Sequence, residues 1–431
     1  MIASKAFRNC LGLDYFYKNY DMKKTVLGSA AMIFSLMFIQ GVAKGKETPE
    51  AKAARIHQSV LTIDTHSDTP LNLLRDGFDV GKRNDMAASG TKCDFPRMKE
   101  GGLDAQFFAV FVAQGPRTPE GDAAVKKKAL EIYAAIRKSV AENSGQAEIA
   151  LTPDDAYRLK KQGKRAIFIG VENGYALAND LTMVKKFHEM GVRYITLCHT
   201  SNNDICDSST DKKKGAEHHG LSPFGKEVVA EMNKYGVMID VSHISDDSFY
   251  DVIRLSKVPV IASHSCSRAI CDHPRNLTDD QLKALAKNGG VIQMCFLSDY
   301  VKKADPNPKR DSAMVLVNKK YNDFQGLTDE QTKEAYREYR ETSKRFPNKL
   351  ANVQDMVDHI DHIVKVIGIN HVGIGTDFDG GGDLAGCRDV SQMGNVTLEL
   401  VKRGYSESDI RKIWGGNFMR VFRQVQKSAA L

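Results

Sequence analysis

The sequence predicts an α/β chain folded as a (β/α)8 TIM-like barrel, and three observations carry that expectation. Eight short apolar runs are spread along it, amphipathic helical patterns lie between them, and histidines and acids recur where the runs end. The runs cover residues 60–63, 105–111, 166–171, 194–198, 237–241, 258–262, 291–296 and 371–374. Their nearly unbroken Val, Ile and Phe content suits parallel strands covered on both faces. Among the intervening helices, 123–143 places Val125, Ala129, Ile132 and Ile136 on one stripe. The segment 353–368 does the same with Val353, Met356, Val357, Ile360, Ile363 and Val364, and 278–290 offers Thr278 as an N-cap and a glycine stop. Strand–helix alternation repeated eight times predicts a barrel. An open doubly wound sheet is the alternative, but no GxGxxG opens the first helix.

Composition sets the frame. Of 431 residues, 42% are hydrophobic and 27% charged, which is ordinary for a soluble globular protein. The formal charge is +7, of which residues 1–43 supply three, with five basic residues against Asp14 and Asp21. The small dispersed remainder gives no nucleic-acid footprint. Residues 22–43 read as an export signal: two lysines after Met22, an apolar core over 26–39, and small residues Gly41 and Ala43 at the cleavage-type positions. The core is short for a membrane span of about 20 residues. Residues 1–21 then read as an extension upstream of the true start, and the exported protein is expected to be periplasmic or secreted, or held at the surface. The eight cysteines show no CxxC spacing; Cys10 would leave with the signal, and Cys198, Cys266 and Cys295 read as buried thiols. The main domain is expected over 50–428. Residues 300–350 are longer and more charged than a barrel connection needs and read as a solvated insertion, or else a lid over the mouth.

The polar residues at the run ends carry the chemistry. His66 and Asp68 follow the first run, Glu172 the third, His199 the fourth, His243 the fifth, His264 the sixth, and Asp377 and Asp379 the eighth. In a barrel these all reach the C-terminal mouth. A single histidine at a strand end is commonly a hydrogen-bonded rim residue; recurrence on six strands weakens that reading. His66, Asp68, Glu172, His243 and His264 form a mixed N/O set suited to Zn²⁺ or another first-row divalent ion. Five ligands exceed the three that one catalytic zinc needs and fit two ions sharing a carboxylate, with Glu172 as the natural bridge. A hydroxide held between two ions points to hydrolysis. His359 and His362 read as surface or interface residues, His218 and His219 as solvated, and the triple glycine 380–382 as a flexible loop.

The stretches IDTHSD, GVENG, LCHTSNN, GLSPFGKEVVAEMNKYGVMIDVSH, SHSCSRAICDHPRNLTDD, GIGTDFDGGG and WGGNFMRVF resemble the renal (membrane) dipeptidase family of dizinc metallopeptidases, over about residues 61–422. The resemblance implies a barrel of the metal-dependent hydrolase type with two Zn²⁺ ions, one on His66 and Asp68, the other on His243 and His264, with Glu172 on both. It implies that His199 contacts the scissile carbonyl oxygen, that Arg275 binds the substrate's terminal carboxylate, that Asp377 lies near the substrate amino end and shuttles a proton, and that Tyr300 lines the substrate site. Dipeptides, including those with a C-terminal D-residue, are the implied substrates, and β-lactam opening an implied side activity. The family's mammalian members are lipid-anchored, disulfide-linked dimers; the ending RQVQKSAAL signals no such anchor, and a homodimer stays an open expectation. Two competitors remain. A barrel amidohydrolase acting on acylated amino acids or cyclic amides would more typically carry HxH and a carbamylated lysine. A non-catalytic relative would typically have lost a ligand.

Overall fold

The computed structural model describes residues 47–211, 214–324 and 327–429; the export-signal reading of residues 22–43, the extension before it and Cys10 lie outside them. Nine parallel strands form one sheet: β1 (Ile63–Ser67), β2 (Ala105–Phe111), β3 (Ala147–Ile149), β4 (Arg165–Glu172), β5 (Val192–Thr196), β6 (Met238–Asp240), β7 (Ile261–Ser265), β8 (Val291–Met294) and β9 (Val372–Ile374). Eight run in the order β1-β2-β4-β5-β6-β7-β8-β9, while β3 is an extra strand paired outside that path with β4. The first and last strands meet just beyond their ends, where Ser67 bridges Phe378 and the Asp68 amide donates to the Phe378 carbonyl at 2.9 Å. The fold is a TIM-like (β/α)8 barrel with helices outside.

The lumen is built in layers by the two-residue period of the strands. On β4 the inward residues are Phe168, Gly170 and Glu172; Tyr194 is followed by Thr196 on β5, Met238 by Asp240 on β6, and Ile261 by Ser263 on β7. The lower layer is apolar and aromatic. Phe107 stacks on both Phe168 and Tyr194, and Phe418 and Phe422 of the helix Asn417–Ala429 close the barrel from below. The next layer is small and polar, and Glu172 stands above it.

Three strands sit at positions offset from the sequence reading. β1 begins at Ile63, where the apolar run 60–63 ends, and its five residues are all buried although four are polar. β7 is likewise displaced toward the C-terminus of its run, and β5 toward the N-terminus. A barrel lumen buries polar side chains when they pair with one another, so polarity does not end a strand here. Val60 and Leu61 remain buried, but as packing beneath the strand.

Helices fall where the periodicity placed them, at Pro119–Glu142, Asp279–Asn288 and Val353–Ile367. Thr278 and Gln281 form a capping box, each side chain satisfying the other's backbone amide. The segment 300–350 contains a helical hairpin, Pro308–Lys320 and Asp329–Arg345, around a small cluster of Val317, Tyr321 and Ala335 that shares no residue with the barrel clusters. Its base is tied by Asn307 to Pro347 and Asn348, and by Arg310 to the Phe346 carbonyl. Among the described residues no helix is long and apolar enough to cross a membrane, and the seven cysteines are buried free thiols.

Two histidines correct the sequence reading. His359 is fully buried, accepting from the Ser267 amide at Nδ1 (3.1 Å) and donating from Nε2 to the Val301 carbonyl (2.8 Å). It ties two mouth loops together, because its helix face is turned onto them. His218 is partly buried, with Nε2 2.8 Å from the Asn203 carbonyl.

Candidate metal centre at the barrel mouth

Glu172 closes β4 and stands at the middle of the mouth. Its Oε2 lies 3.2 Å from His66 Nε2, and its Oε1 lies 3.2, 3.5 and 3.8 Å from Nε2 of His243, His264 and His199. Asp68 Oδ2 is 3.8 Å from His66 Nε2, and the Nε2 atoms of His243 and His264 face each other at 2.8 Å. Ligand-type atoms converge in three overlapping groups: His66, Glu172 and His264; Glu172, His199 and His243; and His66, Asp68 and Asp377. Glu172 belongs to two of the three.

Local backbone explains the convergence. His66 and His264 fall out of the inward phase of their strands, and each lies within a register shift, between Asp64 and Ser67 on β1 and between Ala262 and Ser265 on β7. Such irregularities re-aim a side chain beside a site. Four non-glycine residues at strand ends adopt positive φ: Asn173 (75°), His243 (72°), Asp377 (60°) and Asp379 (68°). Each such residue costs on the order of 1–3 kcal/mol, and such strain clusters at functional positions.

The electrostatics fit cations. His66 Nε2, Asp68 Oδ1 and Glu172 Oε2 are buried and make no hydrogen bond. Buried polar atoms are normally paired, and several orphans pointing into one space call for a positive charge there. Burial, with Glu172 nearby, raises the Asp68 carboxyl above its usual range; burial likewise raises Asp377, with Asp68 and Glu172 adding repulsion. Burial pushes His243 and His264 well below the usual imidazole range, and takes His199 down to about 3 against a partial pull from Asp68. These three imidazoles are therefore neutral at working pH, the form that ligates metals. The donor set of His66, His243 and His264 with Asp68 and Glu172 is of the mixed N/O kind that zinc-like ions take.

The remaining predicted residues surround this centre. Arg275 is buried, donates to the His264 carbonyl at 3.1 Å, keeps an unpartnered Nε, and lies 5.4 Å over the Tyr300 ring. The His199 ring packs edge-on against Phe111 at 4.7 Å and is about a quarter exposed. Asp379 does not join the cluster: it accepts from Thr69 Oγ1 at 2.6 Å and the Lys92 amide at 2.7 Å, and so staples loops. The triple glycine is a hydrogen-bonded loop in which Gly380 and Gly381 are exposed and Gly382 is buried. The amides of Gly380, Gly381 and Gly382 all donate to the Asp377 carbonyl, and Lys92 holds the Gly382 carbonyl. A Cβ on Gly380 would fall 2.1 Å from Asp68 Oδ2 and 2.2 Å from Asp377 Oδ1, so only glycine fits.

Sequence reasoning missed the supporting shell. Asp64 accepts from Thr376 Oγ1 (2.6 Å) and the amides of Thr376 and His66, and burial raises its carboxyl to about 6. Asp240 accepts from Thr196 and Ser263, and Ser263 Oγ is 2.8 Å from His264 Nδ1. The stretches IDTHSD and MIDVSH showed both acids, but nothing in them said that they face the lumen.

A parallel barrel whose mouth gathers histidines and carboxylates around unpaired buried atoms defines a class, the metal-dependent barrel hydrolases. The family model "Membrane dipeptidase (Peptidase family M19)" matches residues 50–431. "Dipeptidase 3" of Macaca fascicularis is 34% identical over 389 residues, covering 88% of this chain and 67% of its own length. "Dipeptidase tcpJ" of Claviceps purpurea (strain 20.1) is 32% identical over 346 residues, covering 78% and 70%. The crystal structure of the probable dipeptidase PvdM from Pseudomonas aeruginosa superposes with a TM-score of 0.78 at 31% identity, over 88% of this chain and 99% of that one. The chain belongs to the membrane dipeptidase family, peptidase family M19, and is a metallopeptidase of that family.

Proposed function

We propose that the protein is an exported dizinc dipeptidase that cleaves free dipeptides, including those with a C-terminal D-residue. The observation that carries this is the set of three orphaned buried atoms, on His66, Asp68 and Glu172, where the ligand-type atoms of the mouth converge beside an incompletely bonded arginine. His66 and Asp68 would hold one Zn²⁺ and His243 and His264 the other, with Glu172 reaching both. Bound there, the ions would supply Lewis acidity and an acidified water nucleophile at neutral pH.

The chain's own groups do the rest. Arg275 presents its unpartnered Nε and guanidinium edge to the substrate's free carboxylate, and its stack with Tyr300 holds the fork in place. That contact, next to the reacting centre, limits the substrate to one residue beyond the scissile bond. Neutral His199 donates a hydrogen bond to the carbonyl oxygen as charge develops on it. Asp377, raised by burial among other acids, accepts a proton at Oδ1 or Oδ2 from the attacking water and passes it to the leaving nitrogen.

The reading extends to the whole chain: residues 22–43 as a removed export signal, 50–428 as the catalytic domain, residues 300–350 as an insertion on it, and a periplasmic or secreted product, with a homodimer as its assembly. Elemental analysis of the mature protein, with hydrolysis of L-Ala-L-Ala, Gly-D-Ala and an N-acetylated dipeptide, tests it. About two zinc per chain and cleavage of the free dipeptides alone are expected. Preference for the blocked substrate would favour an amidohydrolase acting on acylated amino acids.

A further inference from the structure

The three metal-facing histidines are anchored in three different ways. Ser263 Oγ, itself bonded to Asp240 at 2.6 Å, meets His264 Nδ1 at 2.8 Å. His243 Nδ1 has no partner. His66 Nδ1 lies 2.8 Å from the phenol oxygen of Tyr194.

Tyr194 is built into that position. It is fully buried on β5, and its ring stacks on Phe107 at 5.1 Å in the lower lumen layer. On the neighbouring strand a Cβ at Gly170 would lie 2.2 Å from Tyr194 Cζ, so β4 gives up a side chain where the ring lies. With the ring fixed from below and from the side, the phenol oxygen is a fixed point under His66, away from water that could compete for the bond.

Resting on the dizinc reading above, we propose that Tyr194 is a positioning residue that keeps the His66 proton on Nδ1 and so leaves the Nε2 lone pair for the ion beside Asp68 and Glu172. The alternative placement has an evident competitor. With its proton on Nε2, His66 would donate to Glu172 Oε2, 3.2 Å away, and spend both groups on each other. A partner that accepts from Nδ1–H removes that option, as outer hydrogen bonds do for metal-ligating histidines generally. The Ser263–Asp240 pair does the same for His264 by different chemistry, so loss of the phenol should weaken one ion and spare the other.

The test is zinc affinity, measured by titration against a chromophoric chelator on the intact protein, for wild type and Tyr194→Phe. Wild type is expected to bind two ions; the variant should lose about 10–100-fold in affinity for one of them and keep the other. The melting temperature of the metal-free variant should match that of metal-free wild type. Gly170→Ala, which keeps the hydroxyl but displaces the ring, should weaken the same ion. Unchanged or tighter binding of both ions in Tyr194→Phe would overturn the proposal, the latter because it would mean that the phenol donates to Nδ1. So would equal weakening of both ions together with a lower metal-free melting temperature, which a merely structural residue would give. Wild type that binds no zinc would instead defeat the dizinc reading itself.

Discussion

The lower and upper halves of the barrel use the same strands to opposite ends. Below, Phe107, Phe168, Phe418 and Phe422 interlock with ring centroids 4.9–6.2 Å apart, with apolar surface packed on apolar surface. Above, three buried ligand-type atoms have no partner, and four non-glycine residues hold positive φ. The lower half is satisfied within itself. The upper half is satisfied only by something brought to it, and the layered two-residue period lets one strand serve both. Stability and chemistry are thus separated along the barrel axis, and substitutions should separate them too.

The largest effect is expected from Glu172→Gln. It should abolish binding of both ions and lower kcat/KM by roughly a thousandfold or more, since the metal contribution to the barrier is several kcal/mol. Metal-free stability should not fall, because the variant removes one of the crowded acids; a large loss of metal-free stability would erase the division between the halves. The reciprocal test is Phe422→Ala, at a ring that packs on Phe107, Phe168 and Phe418. It should cost about 3–5 kcal/mol in urea unfolding, the range for a buried aromatic cut to alanine. The protein that remains folded should still bind its ions.

A smaller effect lies within the upper half. Arg275→Lys should raise KM for free dipeptides by about 10–100-fold with kcat less affected, because a point charge replaces a planar fork. Steady-state kinetics on L-Ala-L-Ala and on its C-terminal amide should show the variant nearly indifferent to the carboxylate.

The smallest effect concerns pH. Burial holds His199 at about 3 in the folded chain, below its ordinary 6.5. A depressed folded value stabilises the protein fully above 6.5, and that contribution is lost as pH falls from 6.5 toward 3. Relative to wild type, metal-free His199→Gln should therefore gain about 1–2 kcal/mol between pH 7 and pH 4.5, a figure reduced for the exposed quarter of the ring. Paired urea unfolding curves at the two pH values measure it.

Much of this division was legible in the sequence, for a physical reason. The barrel repeats one unit eight times, and repetition makes short apolar runs recognisable where a single one would be ambiguous. The mouth was legible because His66, His199, His243 and His264 recur at corresponding places. What stayed hidden depends on phase and packing. The register shifts that turn His66 and His264 inward leave no mark in composition. Tyr194 reads as one more apolar strand residue until Gly170 is seen to make room for it. His359 read as a surface or interface residue because helix periodicity gives a face but not what covers it. β3 was missed because its three residues carry too little apolar pattern.

The central claim is that the mouth is a two-ion site bridged by Glu172, and diffraction from crystals of the zinc-loaded protein at the zinc absorption edge tests it most directly. Two anomalous peaks are predicted, one beside His66 and Asp68 and one beside His243 and His264, with Glu172 reaching both. A single peak, or peaks away from these five residues, would contradict the account.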